Sequence, residues 1–237
     1  TTMTYWVDGY RLTVDVIRHA FPDVPIVLGG IAARLMPEAM RRLFPGTTVC
    51  PDTLQEAISA GTLPLLSVAP QSPVYPTMVD ALSILERPRH GPVLLSTGCP
   101  MNCAYCASNV LQGGFALRDS GCVADEVAYM RELHGITDFA FYDDALLYRA
   151  DDGLVTFLEA LRERNLRLRL HCPNGLHLEY LTPELSMQMR TAGFVTLRFG
   201  FESSAPGQRA RTGGKAARDV ARRAVRYARE AGFAPSD

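Results

Sequence analysis

The chain has 237 residues, 47% of them hydrophobic, with a formal net charge of −1. That is apolar material for one large domain, or one domain and part of another, and too little net charge for a global attraction to nucleic acid or an anionic membrane. No apolar run approaches the roughly 18 residues of a membrane span and no charged-then-apolar leader opens the chain, so a cytoplasmic protein without membrane contacts is expected. Three of the six cysteines crowd into residues 99–106, while Cys50, Cys122 and Cys172 are scattered. This fits a reducing compartment better than a disulfide framework. The scattered three read as small buried hydrophobes, with Cys122 the one that could approach the crowded loop.

In chain order, residues 10–20 form an amphipathic helix pattern, 25–30 a short buried strand, 37–44 a helix and 47–50 a further extended stretch. This alternation is half of a doubly wound α/β unit. Gly29 and Gly30 end the first strand, where such folds let a flat ligand approach the backbone. Residues 61–91 are proline-rich with little periodicity and read as a linker. From Val93 the pattern is strand then helix, repeated. Strands are predicted at 94–97, 138–142, 166–171 and 195–199. The first helix carries Val123, Val127, Met130 and Leu133 on one face and ends at Gly135. The second opens on Asp151 and Asp152 and carries Leu154, Phe157, Leu158 and Leu161 at core spacing. The third has Thr182 as cap and Pro183 in its first turn, turns Leu185 and Met189 inward and stops at Gly193. The fourth spans 215–231. Repeated strand-helix units imply parallel strands with right-handed crossovers, hence a barrel or an open barrel-like sheet.

The chemistry-bearing stretch is Cys99-Pro-Met-Asn-Cys103-Ala-Tyr-Cys106. It follows an apolar run at 92–97, and Gly98 frees the backbone to turn into it. Thiolates prefer soft metals, which leaves zinc and iron-sulfur clusters open, and a four-iron cube held by three cysteines keeps one iron available. The gaps of three and two residues, with Tyr105 before the last cysteine, resemble the motif of the radical S-adenosylmethionine (SAM) superfamily. The resemblance implies a [4Fe-4S] cluster on Cys99, Cys103 and Cys106 whose open iron chelates SAM, an external one-electron reductant, and reductive cleavage of SAM to a 5′-deoxyadenosyl radical. Residues 3–6 and 27–30, directly upstream, resemble the end of a cobalamin-binding domain, so cobalamin is a further candidate cofactor. The resemblance implies an α/β chain with three parts. Residues 1–60 are the C-terminal part of a cobalamin-binding-like domain, 61–91 a linker, and 92–237 a partial (β/α) barrel of four units where the family usually has about six. A fragment, incomplete at both ends, is expected.

Working residues of parallel barrels collect at the strands' C-terminal ends, and every predicted strand ends on such residues: Cys99, then Asp143 and Asp144, then His171 and Asn174, then Glu202. The second slot is where radical SAM proteins usually carry Gly-Gly-Glu for the methionine amino group. Here Asp143 or Asp144 would have to accept that ammonium. Glu202 resembles the acidic residue that helps hold SAM, often through its ribose, and Arg198 is a candidate for the methionine carboxylate. His171, Asn174 and His177 flank a rigid turn over the rim and are candidates for the pocket of a small-molecule or peptide substrate. Residues 209–229 hold eight arginines and lysines against Asp219 alone. Without interleaved aromatics this patch reads as a solvated helix face rather than a nucleic-acid site. The rival readings are a non-catalytic iron-sulfur electron carrier, which would need a fourth ligand such as Cys122, and a zinc-stabilised binding module.

Overall fold

The structure, a computed structural model, describes residues 3–53, 56–57, 82, 85–213 and 218–236, with backbone alone at 206, 209 and 210. It divides into two compact units, Thr1–Val74 and Tyr75–Asp237.

The first unit runs α1 (Val7–Ala20), β1 (Val27–Leu28), α2 (Ile31–Leu35), α3 (Pro37–Leu43) and β2 (Thr48–Val49). β1 and β2 pair in parallel, Val27 opposite Thr48, which is the crossover of a doubly wound sheet. Tyr10, Val14, Leu28, Met40, Phe44 and Val49 close a small core. The short helix α2 was not separable from the sequence pattern, because it has room for barely one turn of periodicity.

In the second unit, β3 (Gly91–Val93), β6 (Asp138–Phe141), β7 (Arg169–His171) and β9 (Phe194–Thr196) form one parallel sheet whose spatial order follows the chain. The expected linker lies mostly outside the described residues, and its last residue, Gly91, already opens β3. The helices behind the sheet are α5 (Ser120–His134), α6 (Thr156–Glu163, entered through a wide turn at Asp151–Val155), α7 (Pro183–Ala192) and α9 (Arg218–Glu230). The first residues of the expected fourth helix, 215–217, lie outside the described ones. Asp119 caps α5 and Thr182 caps α7 by accepting from the backbone N–H of Cys122 and Leu185. Their apolar stripes meet Phe139, Phe141 and Phe194 of the sheet, with the Phe141 and Phe194 rings stacked at 5.4 Å. One residue departs from its expected face: Leu133 is 52% exposed. The stripe through Val123, Val127 and Met130 continues at helical spacing to His134, whose Nε2 is buried, rather than to Leu133.

The first strand also differs from expectation. The sheet ladder ends where Tyr142 N–H bonds the Val93 carbonyl, and residues 94–97 leave it. Ser96–Thr97 (β4) instead pairs antiparallel with Ala116–Leu117 (β5). The cause is competition for backbone polar groups: Arg118 takes the carbonyls of Leu94 and Leu95, and Asp143 takes the N–H of Leu95 and of Ser96. These groups are therefore satisfied outside the sheet. At the far side, β8 (Leu176–His177) and β10 (Phe199–Gly200) resume parallel pairing beyond the ends of β7 and β9, which extends this edge of the sheet toward the cysteine loop.

Candidate metal centre

The cysteine loop is held from three directions. Gly98 turns the chain at φ +71°, and a Cβ there would stand 2.5 Å from the Gly114 carbonyl oxygen, so the loop's entry packs directly on backbone. Within the loop, Cys106 N–H bonds the Cys103 carbonyl at 3.0 Å. Asn109, on the short helix α4 (Ser108–Gln112), donates its amide to the Met101 carbonyl at 3.1 Å. From the far end of the domain, Gly213 lies at φ +107° against Cys103, its would-be Cβ 2.8 Å from the Cys103 Cα. Cys99 and Cys103 are buried and Cys106 is exposed.

Burial pushes the Cys99 thiol above its ordinary range, opposed by a bond from Met101 N–H; the charges of Asp144, Cys103 and Cys106 push it further. A thiol whose ionisation is opposed in this way is stabilised as thiolate by a bound cation, which suits a metal. Backbone N–H groups already aim at two sulfurs, from Met101 at Cys99 and from Ser108 at Cys106, the second at 3.4 Å. Such bonds stabilise coordinated thiolates. Among the described residues no three His, Cys, Asp or Glu side chains close on one point. A cube binds each thiolate through a different iron and needs no common point, so the donor set fits a cluster.

The two aspartates after β6 differ. Asp143 is 4% exposed, and its carboxylate accepts from Leu95 N–H (3.0 Å), Ser96 N–H (2.6 Å) and Ser96 Oγ (2.6 Å). Burial raises its pKa, and those bonds pull it back in part. Asp143 thus fastens the approach to the loop. Asp144 is exposed, accepts from Ser108 Oγ at 2.5 Å, and directs its charge at Cys99.

Across the loop, the exposed Tyr105 donates its hydroxyl to Glu202 Oε1 at 2.5 Å, a contact between residues 97 apart in sequence. Arg198 is exposed and makes no ion pair among the described residues.

At the end of β7 the three predicted pocket residues separate. His171 bonds Thr196 Oγ1 through Nδ1 and Asp138 Oδ1 through Nε2, each at 3.0 Å, so both ring nitrogens are engaged within the sheet. Arg169 bonds the same Asp138 oxygen at 2.9 Å. Burial raises the Asp138 pKa, but its bonds from Arg169, His171 and Thr137 outweigh this and hold it below the usual carboxylate range. Asn174 donates to the Tyr142 carbonyl at 2.9 Å and ties the second strand end to the third. His177 reaches the loop itself, with Nε2 4.0 Å from Cys99 Sγ and its ring stacked on Tyr180. Tyr180 in turn points its hydroxyl at Met101 Sδ (3.9 Å) and contacts Tyr148, which meets Phe115 edge to face. Apart from His177 this aromatic wall gave no signal in the sequence, because Phe115, Tyr148 and Tyr180 come from three separate segments.

The scattered cysteines divide as well. Cys50 and Cys172 are buried, as expected. Cys122 is exposed in the first turn of α5, and its thiol is pushed up by a bond and charge from Asp119. A groove of about 1370 Å³ opens at the opposite end of the strands, beside Thr137, Arg169 and Gly193, and no predicted site residue lines it. No helix among the described residues is long and apolar enough to cross a membrane.

Comparison with known proteins gives a consistent family. The sequence profile of the Radical SAM superfamily matches residues 93–236. An uncharacterized methyltransferase of Pyrococcus horikoshii is 27% identical over 118 residues, which are 49% of this chain and 25% of that protein. The fold matches the radical SAM methyltransferase TsrM of Kitasatospora setae, solved with tryptophan substrate and a SAM analogue, at TM-score 0.69 and 20% identity, over 96% of this chain and 52% of that one. It also matches the cobalamin-dependent radical SAM enzyme OxsB, solved with aqua-cobalamin and SAM, at TM-score 0.70 and 12% identity, over 94% of this chain and 38% of that one. The chain thus spans about half of TsrM and a quarter of the Pyrococcus protein.

Proposed function

From the premise that this chain belongs to the radical SAM superfamily, we propose that Cys99, Cys103 and Cys106 hold a [4Fe-4S] cluster that binds and reductively cleaves SAM. When bound, the cluster supplies the electron that splits SAM to methionine and a 5′-deoxyadenosyl radical. The chain's own residues position and enclose. Asp144, exposed and charged beside Cys99, is the acceptor for the methionine ammonium, whereas the Asp143 oxygens are occupied by Leu95 and Ser96. Glu202, bonded by Tyr105 of the loop, is the acceptor for ribose hydroxyls, and Arg198, exposed and without an ion pair among the described residues, is the donor to the carboxylate. The wall of His177 and Tyr180 borders the space above Cys99, where a small-molecule or peptide substrate would lie. Asn174 and His171 brace the floor beneath it.

The likeness to TsrM and OxsB extends through residues 1–60 and supports reading them as the C-terminal part of a cobalamin-binding-like domain, joined through 61–91 to a partial barrel at 92–237. Cobalamin-dependent methyl transfer is then the reaction class, in a cytoplasmic enzyme served by a one-electron reductant. The observation that carries the proposal is the three-thiol loop clasped at the C-terminal edge of a parallel sheet, with Asp144 and Glu202 bonded at its exit. Anaerobic reconstitution tests it. One four-iron cluster per chain, an EPR signal that changes when SAM is added, and 5′-deoxyadenosine after reduction are expected. Stoichiometric zinc would favour the binding module, and a cluster indifferent to SAM the electron carrier.

A further inference from the structure

We propose that exposed Arg211 and the arginine face of α9 form the docking surface for an acidic one-electron donor protein that reduces the cluster. The proposal rests on the radical SAM reading. Between residues 209 and 230 the sequence carries eight arginines and lysines against Asp219 and Glu230 alone, in a chain whose total charge is −1. Positive charge is therefore concentrated here and the rest of the chain is acidic.

Packing does not require this. α9 seats on the domain through Ala224 and Ala228, while Arg218, Arg222, Arg223, Arg226 and Arg229 are exposed. The two acids are already engaged, Asp219 with Arg223 at 2.9 Å and Glu230 with Arg226 at 3.8 Å. Among the described residues Arg211, Arg218, Arg222 and Arg229 make no ion pair. Arg218, Arg222 and Arg226 also repeat at a spacing of four, where like charges destabilise a helix. A face that only needed solvation would mix signs.

Position supplies the second argument. Gly213, two residues after Arg211, packs on the Cys103 backbone, so the basic segment begins in contact with the cysteine loop. Tyr105 and Cys106 are exposed there. Electron transfer weakens steeply with distance, and a donor seated on exposed Arg211, two residues from that contact, would stand beside the loop. Charge complementarity selects an acidic partner and speeds its encounter. Nucleic acid fits less well, because the segment's one aromatic, Tyr227, is half-buried beneath Arg226 and offers no stacking platform. In the transfer an anionic FMN hydroquinone becomes the neutral semiquinone, one electron takes the cluster from 2+ to 1+, and no proton moves.

The test uses an acidic flavodoxin. Binding of its oxidised form is measured with and without cluster, and its photoreduced form is mixed anaerobically with reconstituted protein in stopped flow. Against wild type, Arg218→Glu/Arg222→Glu should weaken binding and slow cluster reduction by about tenfold or more, and Arg229→Glu, at the far end of the helix, by less than about twofold. The wild-type rate should fall with added salt and the double variant's should not. Reduction by dithionite should be equal in all, and Arg218→Gln/Arg222→Gln should lie between, with unchanged thermal melting. Equal flavodoxin affinity and salt dependence in wild type and double variant would overturn the proposal, as would arginine-dependent binding of a short RNA without binding of flavodoxin. A protein that binds flavodoxin through these arginines but assembles no SAM-responsive cluster would uphold the surface and sink the radical SAM reading.

Discussion

The two ends of the cysteine loop are built on opposite principles. The entry, residues 94–99, is largely buried: Arg118 takes the carbonyls of Leu94 and Leu95, Asp143 takes the N–H of Leu95 and Ser96, and Gly98 packs against the Gly114 carbonyl. The exit is exposed at Tyr105 and Cys106 and is tied by side-chain bonds, from Tyr105 to Glu202 and from the buried Ser108 to Asp144. An unpaired buried donor costs far more than a lost surface bond, so the entry holds the first thiol rigidly and the exit leaves the third accessible. A site that must both retain a metal and admit a ligand needs that asymmetry.

Breaking the entry should have the largest effect. Asp143→Ala leaves Leu95 N–H, Ser96 N–H and Ser96 Oγ buried without their acceptor and should lower stability by about 3 kcal/mol or more. Urea unfolding measures this, and iron content after reconstitution should fall with it. Gly98→Ala comes next, with a strained left-handed backbone and a Cβ driven against the Gly114 carbonyl. It should cost about 2 kcal/mol and reduce bound iron while far-ultraviolet circular dichroism stays unchanged.

The exit should respond weakly. Tyr105→Phe removes one exposed hydroxyl bond and should change stability by less than about 0.5 kcal/mol, yet if Glu202 holds SAM it should weaken SAM binding, read by the EPR response to titrated SAM. Thiol labelling sharpens the comparison without mutation. In iron-free protein iodoacetamide should reach exposed Cys106 at neutral pH and spare buried Cys99 and Cys103. Cys122 is equally exposed, but Asp119 raises its pKa, so its thiolate appears only at higher pH. Its labelling should lag near neutral pH and catch up as the pH is raised, and Asp119→Asn should remove the lag.

Local physics was legible. The stripe Val123, Val127 and Met130, the Thr182 cap and the stop at Gly193 follow from helical periodicity and orphan backbone groups, and all stand where the pattern put them. The error at Leu133 is one position at a helix end. The error at the first strand is of another kind: 94–97 reads as a strand because it is apolar, but Arg118 and Asp143, both downstream in sequence, bid for its backbone and draw it from the sheet.

The sequence by itself determined the thiol spacing, the alternation of strands and helices, and the polar residues that follow each strand, because these depend on neighbours along the chain. Only the tertiary structure told two adjacent aspartates apart, since burial of Asp143 and exposure of Asp144 depend on which way each faces as the chain leaves β6. Only it brought His177 to Cys99 and Glu202 to Tyr105, because both contacts depend on the register in which β8 and β10 resume pairing beyond the sheet, and register is a property of strands that meet in space.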